Sequence, residues 1–187
     1  MQDKEKNILG AAVNVFTKYG VKRSTMHDIA EEAGIARQTL YNSFQNKDAV
    51  MLGAIQLYTE ETVDAIQSHC KGNGTLADGL DIVFEHVAFK PYELIRNTPH
   101  GQDLLEGFNT LAKEQLDNSY AQFRKAAEGL YIAHADALSA IGMTPEKMAD
   151  YTITSVSGFK HLANDRDHLV GLLGSFKTMT LSMIGQS

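Results

Sequence analysis

The sequence contains one cysteine, three prolines and no long apolar run. A single cysteine excludes an intramolecular disulfide framework and any zinc site built from cysteines. So few prolines, with no Ser/Pro-rich stretch, argue against long disordered tracts. No apolar run approaches the ~20 residues that a membrane helix needs, and the opening MQDKEKNILG lacks the apolar core of a secretion signal. We therefore expect a soluble, cytoplasmic globular protein.

Positive charge is also scarce, and the net charge of −6 alone argues against nucleic-acid binding. The deficit is uneven, however. Residues 1–50 contain seven Lys and Arg against six Asp and Glu, whereas residues 51–187 contain ten against 17. A near-neutral first region followed by an acidic one is compatible with a DNA-binding head on an acidic body. The length of 187 residues allows one large domain or two small ones.

Helical periodicity runs along nearly the whole chain. The first segment has an apolar stripe at helical spacing, formed by Ile8, Ala11, Ala12, Val15, Phe16 and Tyr19. Gly20 is the expected C-terminal stop of this helix. No alternating apolar and polar pattern of the kind that predicts strands occurs. The sequence therefore predicts an all-α protein.

The pattern also predicts the helices of the rest of the chain. Asn46 is a candidate cap for a helix that runs to about His69, and KGNGT (71–75) is the clearest linker signal. Thr144 followed by Pro145 predicts another helix start. The further helices are expected from Leu76 to Lys90, in short pieces over 91–107, as a long helix or helix pair from about Phe108 to Ile141, from Pro145 to about Ala163, and over 166–184.

Residues 25–44, TMHDIAEEAGIARQTLYNSF, predict two short helices joined by a tight turn. Thr25 and Asp28 have the spacing of a capping box. Gly34 is expected to take a left-handed conformation between the helices. The small Ala30 lies where the two helices must approach, and Leu40 lies where the second helix packs on the first. This pattern is typical of a helix-turn-helix unit, whose second helix enters the DNA major groove.

The predicted second helix exposes a set of polar side chains suited to reading bases: Arg37, Gln38, Thr39, Tyr41 and Asn42. Arginine pairs with guanine, glutamine and asparagine pair with adenine, and the threonine methyl contacts the methyl of thymine. The alternative is a plain αα-hairpin, which also places polar residues on its outer face.

Residues 8–55 resemble the N-terminal domain of the TetR family of transcriptional regulators. The resemblance rests on the composite of Ile8, Ala11, Ala12, Phe16, Gly20, Thr25, Asp28, Ile29, Ala30, Ala33, Gly34, Ile35, Thr39, Leu40, Tyr41, Phe44 and Lys47. One departure is Ala36, where the family often has a serine that caps the recognition helix. Alanine caps poorly, at a cost of about 0.5–2 kcal/mol.

The resemblance implies an all-α homodimer that binds a palindromic operator, usually represses nearby genes and is released by a small molecule. It implies a helix-turn-helix DNA-binding domain over 1–48 and a helical bundle for ligand binding and dimerisation over 49–187. By the resemblance, Thr25, Tyr41 and Lys47 contact the DNA backbone, and Arg37, Gln38, Thr39 and Asn42 face bases. The alternative for Tyr41 is that it simply packs.

The resemblance also implies a ligand cavity in the second region. Candidate lining residues are Phe84, Val87, Phe89, Tyr92, His100, Phe108, Tyr120, Phe123 and Phe159, although aromatic stripes are more often plain core. The acidic balance slightly favours a cationic or neutral ligand. His161, Asp165 and His168 could hold a metal ion, but we interpret them as a polar turn and expect neither metal nor cofactor. Cys70 has no resolving partner and is expected to be inert.

The last two helices are the expected dimer interface, since the final one is apolar on more than one side. Gly158, Gly171 and Gly174 would permit close approach. The interface residues expected are Phe159, Leu169, Leu172, Phe176, Met179 and Met183, and a charge at Phe176 is expected to give monomers.

Other functions remain open at this level. No Glu-x-x-His pair, G-x-S-x-G elbow, phosphate-binding loop or dinucleotide fingerprint occurs, so we do not expect an enzyme. A DNA-binding regulator controlled by a protein partner is one alternative. A helical-bundle protein without DNA binding is the other.

Overall fold

The computed structural model describes residues 3–72, 74–100 and 112–185, and within these ranges the chain is helical without strands. The chain divides into two compact units. The first comprises residues 1–60 and 93–119, and the second comprises residues 61–92 and 120–187. The expected assignment of DNA binding to 1–48 and of ligand binding to 49–187 stays a prediction. No helix in the described ranges has the length and apolarity to cross a bilayer.

Residues 3–71 form four helices, the last of which continues into the second unit: α1 (Asp3–Tyr19), α2 (Met26–Glu32), α3 (Arg37–Ser43) and α4 (Lys47–Lys71). The predicted stripe of α1 is confirmed, since all of its members except Tyr19 are buried. Gly20 follows α1 with a φ of 82°, which a residue with a Cβ rarely adopts. Asn46 caps α4 by accepting a hydrogen bond from the backbone N–H of Ala49 at 2.8 Å, as predicted.

The described residues from 76 to 183 contain, in chain order, α5 (Leu76–Val83), a π-helix (Phe84–Phe89), α6 (Lys90–Arg96), α7 (Lys113–Tyr131), a 3₁₀ turn (Ile132–His134), α8 (Ala135–Ala140), α9 (Pro145–Leu162) and α10 (Arg166–Met183). Thr144 accepts a hydrogen bond from the N–H of Lys147, and Pro145 occupies the first turn, so the predicted start of α9 is confirmed.

The expected break at Lys90-Pro91 is wrong, because a helix continues through this position. The backbone widens into the π-helix, where the N–H of Lys90 bonds to the carbonyl of Glu85 five residues earlier. Pro91 is then the second residue of α6. Proline donates no backbone hydrogen bond and its ring crowds the preceding turn, and here it lies where the π-helix changes to α-helix. Of the long helix or helix pair expected up to Ile141, the structure has the pair, divided by the 3₁₀ turn at Ile132–His134.

The core of the second unit is built around two buried arrangements. The Tyr131 hydroxyl lies 2.7 Å from Oγ1 of Thr152, which donates to the carbonyl of Met148. Burial raises the pKa of Tyr131 to about 12, so this hydroxyl is neutral. Phe176 packs among three aromatic rings whose centroids lie 5.7–6.2 Å from its own, those of Phe84, Tyr151 and Phe159.

Candidate nucleic-acid interface

The capping box predicted at the start of α2 is confirmed. Thr25 Oγ1 accepts a hydrogen bond from the N–H of Asp28 at 3.2 Å. In return, the N–H and the hydroxyl of Thr25 both donate to Asp28 Oδ2, at 2.8 and 2.9 Å. The Thr25 hydroxyl and then its N–H hold the pKa of the Asp28 carboxyl below its usual value. Thr25 is exposed, but both of its donors point to Asp28, so a DNA phosphate would have to share or replace that acceptor.

The turn between α2 and α3 has the conformation that the sequence predicts. Gly34 has a φ of 66°, in the left-handed region. Its N–H bonds to the carbonyl of Glu31, and the N–H of Ile35 bonds back to the carbonyl of Ala30 at 2.9 Å. These bonds satisfy carbonyls at the end of α2, as in a Schellman motif. Ala30 and Leu40 are buried where the two helices meet, which fixes the angle between them.

The outer face of α3 presents the predicted base-reading side chains. Arg37, Gln38, Tyr41 and Asn42 are exposed, and Thr39 is half-buried. Gln38 Nε2 donates to Asn42 Oδ1 at 3.0 Å, one helical turn away. The Arg37 guanidinium lies 6.0 Å from the centroid of the Tyr41 ring. The side chains are therefore paired along the helix, and these contacts restrict their conformations before DNA arrives.

The start of α3 lacks a side-chain cap, as expected from Ala36. The carbonyl of Ala36 accepts from the N–H groups of Thr39 and Leu40. The first turn is therefore held by the backbone alone.

Lys47 has a structural role that the sequence did not indicate. It is half-buried at the start of α4, and its ammonium donates to the carbonyls of Val21 and Ser24, at 2.5 and 2.8 Å. Both carbonyls belong to the loop between α1 and α2, which precedes Thr25. Two of the three ammonium donors are therefore used inside the domain, and the third remains for the phosphate contact that the family resemblance implies.

Replacing Lys47 by methionine is expected to lower the free energy of unfolding by about 1–3 kcal/mol in the absence of DNA, because two carbonyls lose a charged donor. Denaturant unfolding followed by circular dichroism measures the change. Lys6→Met is the matched control, since Lys6 is exposed on α1 and should change stability by less than about 0.5 kcal/mol. Equal stability of the Lys47 variant and the wild type would show that these bonds contribute nothing net.

The aromatic residues predicted to line a ligand cavity do not all lie together. Phe84, Val87, Phe89, Tyr92, Tyr120, Phe123 and Phe159 belong to or pack on the core of the second unit. His100 belongs to the first unit. There it lines a polar surface cleft of about 580 Å³ together with Lys18, Arg23 and Glu31. Phe108 lies outside the described residues. In the second unit, a cleft of about 230 Å³ lies beside Cys70 and Gly129 rather than beside the aromatic set.

Sequence reasoning missed a polar cluster on one of those aromatic residues. Tyr120 Oη accepts hydrogen bonds from Lys160 Nζ at 3.0 Å and from Ser157 Oγ at 3.1 Å. Ser157 and Lys160 are three residues apart and therefore share a face of α9, the only signal that the sequence offers. Their partner lies about forty positions away, so periodicity alone does not find it.

The polar turn before α10 is held by hydrogen bonds of its own side chains. Asp165 Oδ1 accepts from the N–H of His168 at 2.8 Å and caps α10. The His168 ring accepts from the N–H of Asn164 at 3.3 Å. Within the described ranges, no group of three potential metal-ligating side chains was found. At Cys70, burial raises the pKa of the thiol, which disfavours the reactive thiolate.

Two of the expected interface residues require correction. Leu169 is fully buried and Phe176 is 5% exposed within the chain's own core, so neither presents a surface to a partner. Leu172 and Phe159 are half-buried, whereas Met179 and Met183 are 61% and 41% exposed. The exposed positions of α10 from residue 170 onward are all uncharged: Val170, Gly171, Gly174, Ser175, Thr178, Met179, Ser182 and Met183.

The two short helices, their glycine turn and the exposed polar face of α3 define a helix-turn-helix DNA-binding protein. Residues 8–54 match the family model described as bacterial regulatory proteins, tetR family. The chain is 23% identical to the uncharacterized HTH-type transcriptional regulator YezE of Bacillus subtilis over 133 residues. This alignment covers 65% of this chain and 69% of the relative. Over residues 8–54 the chain is therefore similar to the DNA-binding domain of that family of transcriptional regulators.

Solved structures show that the similarity of fold extends over both units. A TetR-family regulator from Rhodococcus sp. aligns with a TM-score of 0.68 at 18% identity, covering 95% of this chain and 98% of that one. The regulator FadR from Bacillus subtilis in complex with stearoyl-CoA aligns with a TM-score of 0.61 at 18% identity, covering 95% and 98%. At these identities the comparison establishes the fold.

Proposed function

We propose that this chain is a ligand-responsive, sequence-specific DNA-binding repressor that binds a palindromic operator as a homodimer in the cytoplasm. The observation that carries the proposal is the exposed face of α3. Arg37, Gln38 and Asn42 project from a helix whose opposite side is fixed by the buried Leu40. Base-edge contacts from this face would set the sequence preference, and backbone contacts by Thr25, Tyr41 and Lys47 would set register and affinity.

A homodimer is supported by the uncharged exposed face of α10. Surfaces of monomeric proteins are rich in charge, whereas the cores of interfaces are depleted of it. Met179 and Met183 on this face are apolar and adaptable. Two copies would place two α3 helices in successive major grooves, about 34–36 Å apart in the standard case.

Control by a small molecule is supported by the regulator of similar fold that was solved with stearoyl-CoA. The ligand would bind the DNA-incompetent state better, because only a difference in affinity between two states drives release. Phe84 and Phe123 are only 4% and 5% exposed, so the core around them is packed. A packed core favours the alternative, which is control by a protein partner. Neither alternative requires catalysis, so we propose that the protein is not an enzyme.

Selection of a random duplex DNA pool on the purified protein at ~0.15 M salt tests the proposal, at an ionic strength where phosphate contacts are partly screened. We expect a palindrome, which would establish sequence-specific binding by a dimer. A recovered sequence without two-fold symmetry would contradict the dimer. Folded, dimeric protein that enriches no sequence, even after unfolding and refolding to remove bound ligand, would contradict the proposal as a whole.

A further inference from the structure

Three hydrogen-bond donors converge at one point between α7 and α9. Lys160 Nζ and Ser157 Oγ both donate to Tyr120 Oη, at 3.0 and 3.1 Å. The hydroxyl hydrogen of Tyr120 has no acceptor among the described residues, so it adds a third donor at the same place. All three side chains are half-buried and therefore reach the solvent-accessible surface of the second unit.

The cluster carries an unbalanced positive charge. Among the described residues, no carboxylate forms an ion pair with Lys160, whose ammonium lies 5.6 Å from the centroid of the Tyr120 ring. The neighbouring cation Arg124 is already paired, with its Nε 2.7 Å from Asp150 Oδ1. The cluster with this pair therefore has a local charge of one positive unit.

This positive potential acts on the pKa of the Tyr120 phenol. Burial alone raises the pKa of Tyr120. The charge of Lys160, the hydrogen bonds from Ser157 and Lys160, and the charge of Arg124 outweigh burial, so the pKa lies below its usual value. A negative charge placed at the phenol oxygen would therefore be stabilised.

An apolar core side chain adjoins the cluster. The Phe123 ring meets the Tyr120 ring edge to face at a centroid distance of 5.9 Å, and Phe123 is buried. A ligand that matches both the donor cluster and the Phe123 side chain needs a polar end with one negative charge and two or more acceptor lone pairs, and an apolar body. A monocarboxylate meets these requirements, whereas a dianion such as a phosphate monoester exceeds the local charge.

We propose that Tyr120, Ser157 and Lys160 form the recognition point for the carboxylate of an apolar carboxylic acid, which is the effector of this regulator. The inference rests on the proposed function and specifies the class of its ligand. On binding, the Lys160 and Ser157 donors turn from the phenol oxygen to the carboxylate, and the Tyr120 hydroxyl donates to it as well. The local cluster thus outweighs the acidic average of residues 51–187, since a charge in direct contact acts more strongly than distant screened charges.

Calorimetric titration of the full chain with two probe acids, decanoate and 4-phenylbutanoate, tests the proposal. Each acid is compared with its primary amide, which has nearly the same shape and no charge. We expect at least one acid to bind and its amide to bind about tenfold to a hundredfold more weakly. Lys160→Met should weaken binding of the acid by a similar factor and leave the amide unchanged. Tyr120→Phe, which keeps the ring packing, should weaken the acid several-fold.

Lys147→Met is the matched control, because Lys147 is exposed on the same helix and takes no part in the cluster. The proposal is overturned if neither acid binds the wild type, if acid and amide bind equally, or if the two lysine variants behave alike. Release of the selected operator is measured separately with the same acids. If an acid binds in a Lys160-dependent way but does not release the operator, the carboxylate site stands and the proposed ligand control is contradicted. If other compounds release the operator and neither acid binds, ligand control stands and the carboxylate site is contradicted.

Discussion

Met179→Asp is expected to give a folded monomer whose operator affinity is about a hundredfold or more below that of the wild type. Met179 is 61% exposed on the uncharged face of α10, so the new carboxylate is solvated in the monomer and does not disturb its core. In a two-fold dimer the change places two unpaired charges in the interface, and like charges in an interface cost several kcal/mol. Two linked heads bind far more tightly than one, so the monomer loses most of the operator affinity.

Phe176→Asp, on the same helix, is expected to unfold the second unit instead. Phe176 is 5% exposed and packs against three aromatic rings. Removing a buried phenylalanine costs about 3–5 kcal/mol, and burying an unpaired carboxylate adds several more. The total is comparable to the whole stability of a domain, about 5–15 kcal/mol.

Light scattering and circular dichroism of both variants check these two outcomes. Ile132→Asp is the matched control, because Ile132 is exposed to a similar extent, 64%, and lies outside α9 and α10. It should remain a dimer. A Met179→Asp protein that is folded and still dimeric would contradict the proposed interface, and a folded Phe176→Asp monomer would contradict the placement of Phe176 in the core.

The features that the sequence predicted correctly are local ones. Thr25 with Asp28, Thr144 with Pro145, and Gly34 each act within three or four residues, so spacing alone identifies a cap or a turn. The helix-turn-helix could be predicted for the same reason, since its two helices and its turn span only about twenty residues.

The features that the sequence did not predict depend on contacts between distant segments. Lys47 bonds to carbonyls 23 and 26 positions earlier, and Lys160 reaches a phenol 40 positions away. On α10 the apolar residues occupy two faces, and periodicity cannot tell which face the chain's own core covers. Phe176 was therefore placed on the wrong face, whereas Met179 is exposed. The π-helix before Pro91 was not predicted because no residue pattern in the sequence indicates one.

The second prediction concerns the two roles assigned to α3. Arg37→Ala is expected to lose discrimination at one base-pair position of each half-site, worth about 1–3 kcal/mol, because an arginine reads a guanine edge. Tyr41→Ala is expected to weaken binding to every operator sequence by a similar factor, because its proposed contact is to the backbone. Tyr41 also lies 6.0 Å from the Arg37 guanidinium, so any loss of discrimination on its removal is expected to be small beside the uniform loss of affinity.

The central claim is that the exposed face of α3 reads the DNA sequence. The most direct test is the equilibrium affinity of the wild type, Arg37→Ala and Tyr41→Ala for the selected operator and for each of its single-base-pair variants, at one salt concentration. The account predicts that Arg37→Ala binds all four base pairs equally well at one symmetric operator position and keeps its preferences elsewhere. Tyr41→Ala is predicted to lower the affinity for every sequence by the same factor. Identical effects of the two changes on every sequence, or no effect of either, would contradict it.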